Sequence, residues 1–348
     1  MNNNLTKRIE NLVKLGEVLR NDSGLDEVIA KAAMHNPWFK EDFSRNAIQA
    51  ISDRMLTASK LYEWLSKYDI GDDSETDKTV GIIMAGNLPL VGFHDFLCVY
   101  ILGYKIRIKL SGKDEVLFPY IVSKLSEIDA SLPSRLVIAE RLEGYDAVIA
   151  TGSNNSHRYF EYYFRNVPKI LRKNRNSVAV LDGNETADEL HGLADDIFMY
   201  FGFGCRNVSK IYVPEGYDVR VLFPYFDRYK WMHQHTKYMN NYDYNRTLLL
   251  MNSTQHLADE IITLQENTAI SSPVAVVYYE TYNNLDVVKV NLAERRENIQ
   301  CIVMSGSMMQ KTGMENSVKL GQTQQPELWD YADAVDTINF LISLKSLV

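Results

Sequence analysis

The sequence predicts an α/β protein: two α/β domains with parallel-rich sheets, preceded by an N-terminal helical segment. Three observations predict it. The chain has 348 residues, and single cores rarely grow beyond roughly 250–300 residues. From Thr79 onward, short apolar runs alternate with stretches of helical spacing, the pattern of parallel α/β layers. Up to residue 67 the apolar residues recur at helical spacing alone.

The elements follow in order. Leu5, Ile9, Leu12, Val13 and Leu15 make one helical face, and Leu25, Val28, Ile29 and Ala32 a second. Phe43, Ile48, Ile51, Met55, Leu61 and Leu65 make a third. These read as packing helices without chemistry. The polar break GDDSETDK at 71–78 is the clearest boundary. Thr79–Ala85 then reads as a strand, Pro89–Leu102 as a helix, Tyr104–Leu110 as a strand and Asp114–Ile128 as a helix. A strand ends at Ala147–Ala150, with a helix from about Asn154. Ser177–Leu181 reads as a strand and Ala187–Tyr200 as a helix. The second half continues with strand Lys210–Val213, a helix around 255–265, strand Val274–Tyr279, a helix around 285–294 and strand Cys301–Met304. The Tyr-rich segment 217–246 has no clear period and suits a core, a subunit interface or a substrate channel. The expected domains are a helical segment 1–70, a second unit 71–182 completed by about 315–348, and a third, 183–314.

Composition bounds the function. Hydrophobic residues make up 46% and charged residues 24%, as in ordinary globular proteins. The net charge of -8 argues against a nucleic-acid partner. Cys98, Cys205 and Cys301 are too few and too odd for a disulfide framework, so a reducing, cytoplasmic setting is expected. Their spacing fits no zinc site, and His233 and His235 have no third ligand, so no metal is expected. No run approaches 18 apolar residues, so no integral membrane segment is expected, and MNNNLTKRIENLV lacks a signal-peptide apolar region.

Three places carry chemistry. Cys205 lies in FGFGCRNVSKIYVP. Gly202 and Gly204 permit a sharp turn, and Arg206 offers a positive field to the thiol, so Cys205 is either a nucleophile or a structural cysteine. Cys98 and Cys301 sit in apolar runs and read as core. Asn87, in Gly86-Asn87-Leu88-Pro89, lies between a strand end and a helix start, where its amide either stabilises an oxyanion or caps the helix. Thr151-Gly152-Ser153 also follows a strand and precedes a helix, a turn whose free N–H groups suit a phosphate. No GxGxxG fingerprint is present. His157 and His191 are candidate proton carriers or surface histidines.

An Asn-Pro turn, a TGS turn and a glycine-flanked cysteine before a strand, in that order, resemble the aldehyde dehydrogenase superfamily. AGNLPL, FGCRNVSKIYVPEGYD and the terminal GQTQQPELWD are most similar to the LuxC-type long-chain acyl-CoA reductase family, over roughly 75–335. The resemblance implies an aldehyde-dehydrogenase-like fold, with a cofactor-binding domain at 71–182 and a catalytic domain at 183–314. It implies that Cys205 accepts the acyl group and that Asn87 and the Cys205 N–H form the oxyanion hole. Lys109 would approach the adenosine ribose, and Ser111, Lys113, Thr151, Gly152 and Ser153 would line the cofactor crevice. The implied activity is NADPH-dependent reduction of a fatty acyl-CoA or acyl-carrier-protein thioester to the aldehyde.

Departures from the family pattern refine the expectation. The superfamily's catalytic glutamate aligns with Val180 or Leu181, neither of which activates water, so reduction is favoured over oxidation; Asp182 or Glu185 is a displaced alternative. A second glutamate aligns near Ala269. Gly112 and Lys113 stand where NAD-preferring relatives carry glutamate, which favours NADPH over NADH. The alternatives are a CoA-acylating aldehyde dehydrogenase, an acyl-phosphate reductase or a catalytically silent nucleotide-binding subunit. A homodimer or an acyl-transfer partner subunit is the expected association; segment 68–78 is too short and acidic to supply the relatives' dimerising hairpin.

Overall fold

A computed structural model describes residues 3–70, 76–315 and 317–346. Most of the polar break and of the segment weighed as a dimerising hairpin, residues 71–75, lies outside the described residues. Two compact units form, Met1–Asn174 with Glu327–Val348, and Arg175–Pro326. No helix among the described residues is long and apolar enough to cross a membrane.

The first unit begins with α1 (Asn3–Asn21), α2 (Leu25–His35), α3 (Glu41–Ala50) and α4 (Ala58–Leu65). These helices are not a segment apart: Ile9, Leu12, Ile29 and Trp64 share one core with the strands that follow. Arg8 ties α1 down by donating from Nε to the Ile101 carbonyl at 2.8 Å. Next come β1 (Thr79–Ile83), α5 (Phe93–Ile101), β2 (Lys105–Lys109), α6 (Leu117–Ile128), α7 (Leu132–Arg135), β3 (Leu136–Ile138), β4 (Ala147–Thr151), α8 (Asn154–Tyr163) and β5 (Lys169–Arg172). The strands form a parallel sheet in the order β3-β2-β1-β4-β5. Helix α5 starts at Phe93 rather than Pro89, because the chain first turns through Leu90 at φ +58°.

The second unit contains β6 (Asn176–Val180), α9 (Ala187–Phe198), β7 (Val208–Pro214), α10 (Thr236–Met251), β8 (Leu257–Ala258), β9 (Thr263–Glu266), β10 (Val276–Tyr282), α11 (Leu285–Glu294), β11 (Ile299–Met304), α12 (Gly306–Thr312) and β12 (Ser317–Lys319). Its sheet runs β12-β11-β6-β7-β10-β9-β8, parallel except for the β8–β9 pair. Because β6 pairs with β7 and β11, the boundary expected at 182 falls at 174–175. The helix expected around 255–265 is instead β8 and β9, and β9 is held by pairing with β10. The Tyr-rich segment is a 3₁₀ stretch (Val219–Gln234) followed by α10. Several of its tyrosines are core: Tyr238 and Tyr242 are buried and donate to the carbonyls of Ile261 (3.0 Å) and Asp259 (2.6 Å).

The chain then returns to the first unit as residues 327–336 and α13 (Thr337–Ser346). Trp64 donates to the Tyr331 hydroxyl at 2.7 Å, and Tyr104 to the Leu341 carbonyl at 2.6 Å. The completion expected from about 315 therefore begins at 327, while 317–326 stays with the second unit.

Candidate active site

In the first unit the sheet order reverses direction between β1 and β4. Ligands of open parallel sheets lie outside the carboxyl ends of strands at such a point. The loops after β1, β2 and β4 carry Asn87, Ser111 with Lys113, and Gly152 with Ser153 respectively. Lys109 and Thr151 are the last residues of their strands. Thus all the sequence-predicted residues of this unit gather at one edge.

Close packing shapes that edge. A Cβ on Gly86 would lie 2.6 Å from both the Cβ and Oγ of Ser111, so the loops after β1 and β2 touch only because residue 86 is glycine. Asp114, buried in the turn just before α6, accepts from the Leu90 N–H at 3.0 Å and fixes the left-handed turn beyond Asn87. Burial pushes its carboxyl up to about 6, although the N–H groups of Leu90, Phe118 and Leu117 oppose the shift. His35 and Asn36 hold the carbonyls of Gly112 (3.0 Å) and Lys113 (3.2 Å). Asn87 stands exposed at the crown of its loop. Lys109 Nζ donates to the Glu140 carbonyl at 3.0 Å. Ser153 caps α8 by accepting from the Ser156 N–H at 3.2 Å, and Gly152 is required by the approach of Phe160 and Ser156, each 2.8 Å from a Cβ there. The N-terminus of α8 offers N–H groups that suit a dinucleotide's phosphates, and Lys109 and Lys113 place cations at the same edge, so these residues fit such a cofactor.

In the second unit, Cys205 lies at the amino end of β7. A capping box, Thr186 with Glu189, starts α9. The chain leaves that helix through Tyr200 (φ 54°), Phe201 (φ 57°) and Gly202 (φ 76°). Two non-glycine residues in the left-handed region are strained and persist only where surroundings over-determine them. Phe201 is held among the rings of Trp231, His235 and Tyr238, the closest centroid at 4.4 Å. A tight turn follows, closed by the Asn207 N–H donating to the Gly204 carbonyl at 3.0 Å, with Cys205 and Arg206 as its central residues. Cys205 is partly exposed, whereas Cys98 and Cys301 are buried. Burial pushes the Cys98 thiol well up, and the Asp95 charge adds to it, consistent with a core residue. The Arg206 guanidinium, read from sequence as a field for Cys205, donates to Cys301 Sγ at 3.2 Å.

Sequence reasoning missed the polar residues that build this turn. Asn207 and Ser177, both buried, hold its backbone. An asparagine two residues beyond a glycine-flanked cysteine is the available signal.

The displaced bases are corrected by position. Val180 ends β6 and Leu181 follows it, with Asp182 and Glu185 beyond, all at the carboxyl end of the strand. β6 and β7 are parallel, with Ser177 opposite Val208 and Val180 opposite Tyr212. Cys205 precedes Val208, so the two ends are separated by roughly 13 Å of strand or more. Glu185 instead accepts from the Asp182 N–H (2.7 Å) and Gly183 N–H (3.1 Å), and burial raises its pKa. Ala269 lies in the loop between β9 and β10, next to Ile270, whose carbonyl accepts from the Ser209 hydroxyl at 2.7 Å.

His191 packs edge-on to Tyr225, His157 is buried beside Glu161 at 3.5 Å, and His235 caps α10. No group of three or more metal-ligating side chains is found among the described residues.

No protein-family model and no curated protein sequence matches the chain. Solved structures do. Aldehyde dehydrogenase 21 from Physcomitrella patens, in complex with the reaction product succinate, superimposes with a TM-score of 0.70 at 13% identity, covering 98% of this chain and 84% of its own. An acetylating aldehyde dehydrogenase from Geobacillus thermoglucosidasius gives 0.65 at 8% identity, covering 94% and 86%. A propionaldehyde dehydrogenase from Rhodopseudomonas palustris, with bound propionyl-CoA, gives 0.62 at 10% identity, covering 91% and 81%. At these identities the likeness speaks for architecture: the chain has the aldehyde dehydrogenase fold.

Proposed function

We propose that the protein reduces a fatty acyl-CoA, or the equivalent acyl-carrier-protein thioester, to the aldehyde through a thioester on Cys205. The observation that carries the reading is the placement of Cys205. It is a partly exposed thiol on a constrained turn at the amino end of β7, while Asp182 and Glu185 stand at the other end of the sheet. A thioester there has no activated water from those carboxylates, which supports departure of the acyl group by reduction rather than hydrolysis.

The Cys205 thiolate attacks the substrate thioester carbonyl; the bond to CoA sulfur breaks, and CoA leaves with a proton from solvent. The Cys205 N–H is the proposed donor to the developing oxyanion, and one such donor contributes roughly 3–4 kcal/mol. A nicotinamide, when bound, would supply the hydride; the bond between the acyl carbon and Cys205 Sγ then breaks, releasing the aldehyde and restoring the Cys205 thiolate. The α8 N-terminus with Thr151, Gly152 and Ser153 is proposed to hold the phosphates, and Lys109, Ser111 and Lys113 the ribose end. Lys113, in the loop after β2, supports NADPH as the preferred form over NADH.

A CoA-acylating aldehyde dehydrogenase, running the same steps in reverse, is the second reading. It is favoured by likeness to a structure that binds propionyl-CoA. Mixing the protein with NADPH and a series of acyl-CoA chain lengths, and following nicotinamide absorbance, tests the proposal. Loss of absorbance with aldehyde formation supports it. Turnover only with acyl phosphate, or stoichiometric NADPH binding without turnover, defeats it.

A further inference from the structure

We infer that Asn207 and Ser177 are the positioning residues of Cys205, together fixing the backbone from which its thiol projects. The inference rests on the reading of Cys205 as the nucleophile.

Asn207 is 1% exposed. Its Oδ1 accepts from the Gly204 N–H at 2.8 Å. Its Nδ2 donates towards the carbonyls of Asp196 (3.0 Å), Ile197 (3.3 Å) and Met199 (2.9 Å). Those carbonyls lie at the end of α9 and just beyond it, where helix carbonyls lack an intrahelical donor. One amide therefore joins the helix end, the strained Tyr200–Gly202 turn and the cysteine turn. The Asn207 backbone N–H closes the turn onto the Gly204 carbonyl.

Ser177 holds the other side. Its hydroxyl donates to the Cys205 carbonyl at 3.1 Å and accepts from the Cys301 N–H at 3.2 Å. Its own N–H donates to the Asn207 carbonyl at 3.0 Å. Gly204 is thus held through both its backbone polar groups, and Cys205 through its carbonyl. Satisfying those carbonyls stabilises the helix end as well, so stability does not read the positioning role. Polar groups on both sides of Cys205 fix one direction for its Cα–Cβ bond, which matters when a sulfur must meet a carbonyl in a narrow range of approach.

The test uses full-length Ser177→Ala, Asn207→Ala and Asn207→Asp. The last keeps an acceptor for Gly204. Thermal melts identify the variants that fold. Steady-state rates with acyl-CoA and NADPH are measured beside the rate at which iodoacetamide alkylates Cys205. In folded variants the expected result is a fall in kcat of roughly 10- to 100-fold, KM for the acyl donor within about twofold, and a Cys205 alkylation rate altered by about threefold or more. Wild-type kcat and alkylation in Ser177→Ala and in a folded Asn207 variant overturn the inference. So does a loss expressed in KM alone. If the wild-type protein shows no turnover with any acyl donor, the functional reading fails by itself. The alkylation rate then decides the positioning role, and an unchanged rate in Ser177→Ala sinks it.

Discussion

The Asp196 carboxylate on α9 holds Thr323 doubly, accepting from its N–H at 3.1 Å and its hydroxyl at 2.8 Å, and also takes the Gly321 N–H at 2.7 Å. The GQT segment near the C-terminal end is thereby fastened to the helix that leads to Cys205. Burial pushes the Asp196 carboxyl up to about 6, against the opposing pull of those donors. A carboxyl raised above its unfolded value of 3.8 binds protons more tightly when folded. Its contribution to stability therefore falls as pH rises from about 4 to about 6, by on the order of 3 kcal/mol for a two-unit shift. Denaturant unfolding at pH 4.5 and 7 should show wild type losing stability relative to Asp196→Asn as the pH rises. A pH-independent difference between the two contradicts the assignment.

Gly192 explains why the same segment tolerates no side chain on the helix beneath it. A Cβ at that position would lie 2.9 Å from the Gly321 nitrogen and 3.0 Å from its Cα, and backbone cannot step aside as a side chain does. Gly192→Ala should cost roughly 1–3 kcal/mol despite the better helix propensity of alanine. A shift of the urea midpoint with unchanged slope is the expected readout; a stabilised variant shows that the contact relaxes.

The Asp95–Arg172 pair is buried in the first unit, with Arg172 Nη2 2.8 Å from one carboxylate oxygen and Nη1 2.9 Å from the other. Arg172 also donates to the Thr337 hydroxyl at 3.0 Å, at the start of α13. Removing the cation strands a buried carboxylate, so Arg172→Ala should destabilise by about 3–5 kcal/mol. Replacing both members with apolar residues should restore much of the loss. Limited proteolysis should then cleave Arg172→Ala within 327–337 before other sites; cleavage as slow as in wild type argues against this anchor.

Cysteine reactivity separates the three thiols without any substrate. Cys205 is partly exposed, and the others are buried. Iodoacetamide should modify Cys205 first, with Cys98 protected until the chain unfolds. Peptide mass mapping over time reads the order, and early modification of Cys98 contradicts its place in the core.

What the sequence made legible follows from the range of the interactions involved. Strand β1 was readable because five consecutive residues carry a local apolar pattern, and Cys205 because its glycines are adjacent in sequence. Strand β9 was not. Leu257, Ile261 and Leu264 recur at helical spacing, but pairing with β10, outside that window, decides the structure. Helix α10 was hidden because Tyr238 and Tyr242 are buried with their hydroxyls spent on the carbonyls of Ile261 and Asp259, giving no clean apolar stripe. Val180 and Leu181 were set beside the chemistry by alignment, whereas the parallel β6–β7 register puts them at the far end of the sheet. The role of Asn207 was out of reach because its partners are carbonyls left open by a helix that ends in a left-handed turn of Tyr200 and Phe201, residues with no local signal for that conformation.

Intact-mass analysis after mixing the protein with a long-chain acyl-CoA, in the absence of NADPH, tests the central claim most directly. The expected result is one added acyl group that is lost on adding NADPH and never forms on Cys205→Ala. An acyl adduct of equal yield on the wild-type and Cys205→Ala proteins contradicts it.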